Sequence, residues 1–392
     1  IHHETRSGSA GIFGVFLVML GWYMPAYAVN WGKYPALSSL PLILFVLSLA
    51  YLSLRYRAVL SSRHHMGLNV LLLLSVLVAG FTHSRSLVVF AIFLLAWLIA
   101  IWWTGLSKGW RSLIFLTLLL GIAALAFYID QKGIFGPLFD PYWDKGVLVT
   151  AIVAVLSIPA LRAYPRLGFT SILVILLLIG SLFVPANGIP GYGNLTLLDR
   201  PFVETILYLP LSLLGGLGLA ALEQSVRAAQ MDWKDFHFAW GKYVAFFCIA
   251  VVLISELSRY NFYPSDCCAI AGRDDLVALD WMDKNLPPEA RILIASTELR
   301  VLASNSFEGS VSGDAGAWIT PLTGRATVFL PFQSDFTQQA TLDTLCLLQA
   351  DHIYVGETGV KFNNALLLAR PDWYQILLSM PTVQVYQVTG CP

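Results

Sequence analysis

Up to about residue 258 the chain alternates long apolar runs with short polar breaks, and beyond that point it changes character. Nine runs stand out, at 10–29, 35–54, 66–82, 87–104, 112–129, 147–163, 168–186, 202–222 and 241–258. About 20 mostly apolar residues carry a helix across the hydrocarbon layer of a bilayer. Several runs hold only one or two polar side chains, and a water-soluble core has no use for so many such segments. The pattern predicts a polytopic α-helical membrane protein of about nine transmembrane helices, occupying residues 1–258.

From residue 259 onward, helix-period and strand-period stretches alternate. Asp274–Asn285 reads as an amphipathic helix with Leu276, Leu279, Trp281 and Met282 on or near one face, and Pro287-Pro288 ends it. Arg291–Ser296, Ala326–Leu330 and Asp351–Val355 read as short buried strands. Thr337–Gln349 reads as helix, Asn363–Met380 as largely helical despite Pro371, and Thr382–Val388 as a final strand. This alternation predicts a soluble C-terminal α/β domain over 259–392, built on one sheet. No Gly-x-Gly-x-x-Gly or phosphate-loop motif follows any of these strands, so nucleotide binding has little support.

Charge sharpens the division. Charged residues make up 12% of the chain, about half the usual share of a soluble domain. Residues 1–258 hold 16 of the 24 Lys and Arg but 10 of the 24 Asp and Glu, so the first part is mildly basic and the second acidic. The net charge is zero, which gives no reason to expect a nucleic-acid partner. With the N-terminus in the cytoplasm, the inner segments carry 11 Lys and Arg and the outer loops 5. The positive-inside bias then places residues 259–392 on the extracytoplasmic side. Trp22, Tyr23, Trp102, Trp103, Tyr142 and Trp143 lie near span ends, as interfacial aromatic belts do. The chain starts at Ile1 without a signal-peptide pattern and reads as a fragment or a processed product.

Of five cysteines, Cys248 falls in the last span and reads as a small core residue. Cys267, Cys268, Cys346 and Cys391 fall in the outer domain, where an oxidising compartment permits disulfides. The favoured pairing joins Cys391 to Cys267 or Cys268 and ties the domain ends together. A metal site is the weaker alternative, because Cys267-Cys268 lacks C-x-x-C spacing. Asn194-Leu195-Thr196 matches a glycosylation sequon.

Three stretches carry a family resemblance. Asp275–Leu286, followed by Pro-Pro-Glu-Ala-Arg-Ile-Leu-Ile, is similar to the helix-then-strand that opens the outer domains of GT-C superfamily membrane glycosyltransferases. Gly313–Ile319 with Leu322-Thr323-Gly324-Arg325 looks like the "Asp-Gly-x-Trp … Thr-Gly-Arg" element of uncharacterised bacterial proteins in that group. Leu198–Glu204, leading into Leu211–Ala220, resembles a late outer loop and span of the same proteins. The resemblance implies sugar transfer from a polyprenyl-phosphate-linked donor to an acceptor glycan, lipid or protein, at the outer face of a bacterial plasma membrane. It leaves the cofactor open, with a divalent cation such as Mg2+ or Mn2+ as the candidate, and assigns no metal ligands. It also implies a catalytic acidic loop early in the chain. The first outer loop here, Asn30–Tyr34, has no carboxylate, so the acidic loop is expected upstream of Ile1.

Such a transfer needs a base for the acceptor hydroxyl, cations for the leaving phosphate, and a groove for the lipid tail. Asp140 and Asp144 are four residues apart and share one face if they lie in a helical turn, which suits binding a divalent ion or sharing acid/base work. The plainer reading makes each a local cap. His83 and Arg85 form a short outer turn and read as base and phosphate ligand, or as an ordinary surface turn. Arg200 sits at the mouth of a span after Asp199, a natural N-cap, and before Pro201. It reads as a phosphate clamp or a snorkelling interface arginine. Glu204, one turn inside the same span, needs a partner, and Arg200 is the nearest. Asp314, Trp318 and Arg325 read as acceptor contacts or as a structural Gly-rich loop with a buried Trp. The non-enzymatic alternatives are an assembly or sensor protein and a transporter of lipid-linked solutes.

Overall fold

A computed structural model describes residues 1–23, 34–59, 61–131, 135–189, 195–231, 240–257, 270–299 and 309–391. The chain divides into a helical unit up to Tyr263 and an α/β unit from Pro264.

The helical unit contains α1 (Gly8–Met19), α2 (Tyr34–Arg55), α3 (Ser62–Thr82), α4 (Arg85–Gly105) and α5 (Lys108–Gln131). It continues with α6 (Phe135–Asp140), α7 (Val147–Ala163), α8 (Pro165–Ser181), α9 (Arg200–Ile206), α10 (Tyr208–Met231) and α11 (Trp240–Leu257). Each of the nine predicted segments carries helix among the described residues. Five helices there are long and apolar enough to cross a membrane, or six if one bent pair counts as a span. That pair joins Leu138–Asp144 to Val147–Ala163 across a bend of 91°. Gly8–Met19, Pro165–Ser181 and Tyr243–Leu257 are apolar but short. Apolarity alone cannot distinguish a full crossing from a shorter helix buried among others.

The stretch formed by α9 and α10 is the hub, with 83% of its apolar window buried, against 11% for α3 and 6% for α5. Its glycines explain how. A Cβ on Gly218 would lie 2.1 Å from the Leu156 carbonyl oxygen of α7, and one on Gly216 would lie 3.1 Å from Ala10 O of α1. The helices therefore meet backbone to backbone, as small-residue interfaces between apolar helices do.

The α/β unit comprises α12 (Arg273–Asn285), β1 (Arg291–Glu298), β2 (Ser310–Ser312), α13 (Ile319–Thr323), β3 (Ala326–Pro331), α14 (Gln339–Leu347), β4 (His352–Val355), α15 (Asn364–Leu368), β5 (Tyr374–Ser379) and β6 (Gln384–Val388). β3, β1 and β4 run parallel, and β6 and β5 extend the sheet antiparallel beside β4. β2 pairs antiparallel with the far end of β1. Period-2 alternation sends Leu293, Ala295, Ile353 and Val355 to the face covered by α14 and α15. Ile292, Ile294 and Tyr354 go to the face covered by α12 and α13. Burial on both faces is why these strands read as continuous apolar runs.

Three expectations need correction here. Asn363–Met380 is not largely helical: α15 is one short helix and β5 follows, because the β5–β6 ladder decides the conformation where local propensity is ambiguous. On α12 the buried face is Asp275, Ala278, Leu279 and Met282, whereas Leu276 is exposed. Cys391 pairs with Cys346, not with Cys267 or Cys268, which lie outside the described residues. The Cα atoms of Cys346 and Cys391 are 5.6 Å apart, since Gly390 packs beside Leu342 of α14 and brings the chain end onto that helix. Cys248 is a free, partly buried thiol packed against the helical core. Asn30–Lys33 and Asn194 also lie outside the described residues.

Two outcomes are expected. Gly218→Ala has no room at the Leu156 carbonyl, and should destabilise the helical unit by about 1–3 kcal/mol or prevent its assembly; detergent-resistant thermal unfolding measures this. Reducing Cys346–Cys391 frees a chain separation of 45 residues and should lower the stability of the α/β unit by about 2–4 kcal/mol, seen as a lower melting temperature of the full chain with reductant.

Candidate functional site

One end of the helical unit collects side chains from three distant segments. Asp199 is the N-cap of α9: its Oδ1 accepts from Phe202 N at 2.9 Å, with Pro201 in the first turn, as expected. Its Oδ2 receives Arg85 Nη1 at 2.5 Å, joining the start of α4 to the start of α9. His83 closes the same contact, its ring 4.7 Å from the ring of Phe202. Arg200 stands next to the cap, and its Nε is buried with no hydrogen-bond partner among the described residues. Glu204, one turn further in, is only 1% exposed. Its backbone carbonyl accepts from the Tyr142 hydroxyl at 2.6 Å, which brings in the loop after α6.

The sequence singled out His83 with Arg85 and Arg200 with Glu204, and the fold brings the two pairs to one mouth through Asp199 and Phe202. It treated Asp199 only as a cap, although this carboxylate also holds Arg85. A contact between residues 85 and 199 leaves no mark in local spacing. Tyr142 was read as an interfacial aromatic, yet it is buried and anchors its loop.

Asp140 and Asp144 flank Tyr142, and their segment Pro141–Lys145 is a π-helical turn. Both carboxylates are exposed. Neither caps as expected: Asp140 makes no side-chain cap bond and the N-cap of α7 is Gly146. Among the described residues no three His, Cys, Asp or Glu side chains gather to hold a metal ion.

The three candidates in the α/β unit have different roles. Arg325 is buried and clamps the end of α12: Nη1 donates to Asp283 Oδ1 at 2.9 Å and Nη2 to the carbonyls of Asp283 and Leu286. Trp318 is 45% exposed at the end of a 3-10 turn, not buried. Asp314 opens that turn, fully buried, with Oδ1 accepting from Gly316 N and Ser312 Oγ. Its Oδ2 is sealed in without a well-formed hydrogen bond, beside Gly356 at the end of β4.

Asp314 belongs to a buried acidic network that the sequence reading missed. Asp275 Oδ1 accepts from the Tyr354 hydroxyl at 2.5 Å and from Glu357 N, and its Oδ2 from Gly272 N. Glu357 Oε2 in turn accepts from Asp274 N. Together these bonds tie the start of α12 to the end of β4. Gly272 has no side chain to cap α12, and only the return bond forms, from Gly272 N to Asp275 Oδ2, so no sequence signature marked Asp275. Burial, first, and then its bond to Asp275 keep the Tyr354 phenol protonated far above its ordinary range. Burial likewise pushes the Asp314 carboxyl up to about 6, with the Asp275 charge adding to the rise and hydrogen bonds opposing it.

No protein-family model matches the chain, and no curated protein matches it.

The Asp314 shift has a pH signature. A carboxyl that holds its proton more tightly when folded contributes its full stability below its unfolded value, near pH 4. That contribution is lost as the pH rises to about 6, a difference of roughly 3 kcal/mol. Asp314→Asn, neutral at all pH and able to keep the Gly316 bond, should flatten the fall between pH 4 and pH 7. Denaturant unfolding of wild type and variant across that range measures the difference curve, and parallel curves would rule this out.

Proposed function

We propose that the chain is a membrane glycosyltransferase-like protein of GT-C type that handles a polyprenyl-phosphate-linked sugar at the mouth formed by α4, α9 and the loop after α6. The observation that carries this reading is the buried Nε of Arg200, which has no hydrogen-bond partner among the described residues, close to Arg85 and His83. A buried guanidinium donor without an acceptor is costly, and a phosphate oxygen supplies the bidentate acceptor it suits. In this reading Arg200 and Arg85 offset the charge that develops on the leaving phosphate as the sugar–phosphate bond breaks. His83 takes the acceptor proton. Exposed apolar surface on α3, α4 and α5 faces the lipid that carries the polyprenyl tail.

The α/β unit is read as extracytoplasmic and the N-terminus as cytoplasmic. Support comes from the Lys and Arg bias of the loops and from the Cys346–Cys391 disulfide, a bond at home in an oxidising compartment. The acceptor is a glycan, lipid or protein on that side. A second reading, a non-catalytic assembly or sensor protein, draws on two cations already engaged: Arg85 by Asp199, and Arg325 by the end of α12.

Radiolabelled transfer from a polyprenyl-phosphate-linked sugar in isolated membranes tests the proposal. Arg200→Ala, folded and inserted normally, should reduce transfer by about a hundredfold or more. Unchanged transfer would remove Arg200 from the site, and no transfer by the wild-type chain from any donor would favour the second reading.

A further inference from the structure

The sheet of the α/β unit has a second feature at its carboxyl edge, on the face opposite α12. Phe332, Gln333 and Ser334 follow β3 directly, Val355 ends β4, and Gln384 begins β6, which runs antiparallel to β4 and so starts at the same edge. These residues, with the chain from Lys361 through α15, line an open cavity of about 590 Å³. Small-molecule sites span roughly 300–1,000 Å³, and open α/β sheets bind ligands outside the carboxyl ends of their parallel strands.

The lining chemistry selects the ligand. Four side-chain amides contribute, from Gln333, Asn363, Asn364 and Gln384, whereas the hydroxyls of Ser334 and Thr382 already donate to Pro331 O and Asp274 Oδ2. Three amides are fixed at one end only. Asn363 Oδ1 accepts from Ala365 N, Asn364 Oδ1 accepts from the Tyr386 hydroxyl, and Gln384 Nε2 donates to Met380 O. The opposite ends are left as two amide donors and one carbonyl acceptor. Phe332 adds an apolar patch to the wall, and the one charged residue of the lining is Lys361.

An apolar ligand would strand these amides without partners, at a cost for each. A phosphate group would find a single lysine and no guanidinium. A peptide added as a strand would need a sheet edge rather than a cavity of side chains. Adjacent hydroxyls on a sugar ring both donate and accept, as amides do, and the C–H face of the ring packs on an aromatic wall. We infer that this cavity is a carbohydrate-binding site for a sugar ring of a neutral or acidic glycan. Among the described residues the lining holds no carboxylate to pair with the ammonium group of an amino sugar. The site uses the α/β unit alone and does not rest on the transfer reading.

The test uses the full chain in lipid nanodiscs free of glycosidic detergents, which would themselves occupy such a site. Glucose, galactose, mannose, N-acetylglucosamine and glucuronate are titrated with saturation-transfer NMR detection, without any lipid-linked donor. At least one should bind with a dissociation constant of about 1 mM or tighter. Gln333→Ala and Lys361→Ala alter exposed side chains; the double variant should keep the wild-type melting temperature and bind the preferred sugar about tenfold more weakly. Should that variant fold poorly, Gln333→Ala alone is the alternative with the same expected direction. The inference is overturned if no sugar saturates, if binding is unweakened in a folded variant, or if only inorganic phosphate or an unglycosylated peptide binds.

Discussion

Between apolar helices in an apolar surrounding there is little hydrophobic drive, so close approach of backbones has to supply the packing energy. In this protein that approach is concentrated on α10, where Gly215, Gly216 and Gly218 leave no space for a Cβ against α1 and α7. Because α9 runs into α10 across Leu207 alone, the mouth that holds Asp199, Arg200 and Glu204 is mounted on this axis. A change in the packing of α10 would move every one of those side chains. α3 and α5, by contrast, bury little protein surface, and most of their apolar side chains face outward.

At the mouth, one carboxylate serves two purposes. Asp199 starts α9 through Phe202 N and pins the first turn of α4 through Arg85. A half-buried ion pair of this kind adds little net stability on its own account, but it sets the register between two helix ends. The adjacent Arg200 keeps a buried donor without a partner among the described residues. A buried donor left in this way in a folded protein calls for an explanation.

The α/β unit shows the same economy on a smaller scale. Its α12 face is closed by Asp275, Tyr354 and Asp314, buried and tied to backbone amides or to one another. Its other face stays open at the carboxyl edge, where amide side chains remain half used. Arg325 was a reasonable candidate ligand by residue type, but its guanidinium is taken up by the last turn of α12. Charge on a loop says nothing about whether a helix end lies within reach.

Hydropathy periodicity alone marked the helical segments, the parallel strands and the division near residue 258, because burial in an apolar medium is written into residue type locally. It marked Asp199 as a cap for the same reason, since a cap contacts a backbone amide three residues away. Which runs are long enough to cross, and where α7 bends against its predecessor, depends on helix ends that hydropathy blurs. The Arg85–Asp199 pair, the Cys346–Cys391 bond and the Asp275–Tyr354 contact join residues from 45 to 114 positions apart. Only the tertiary structure decided these. Such contacts follow from helix packing and strand order, which many sequences with the same local pattern would arrange differently.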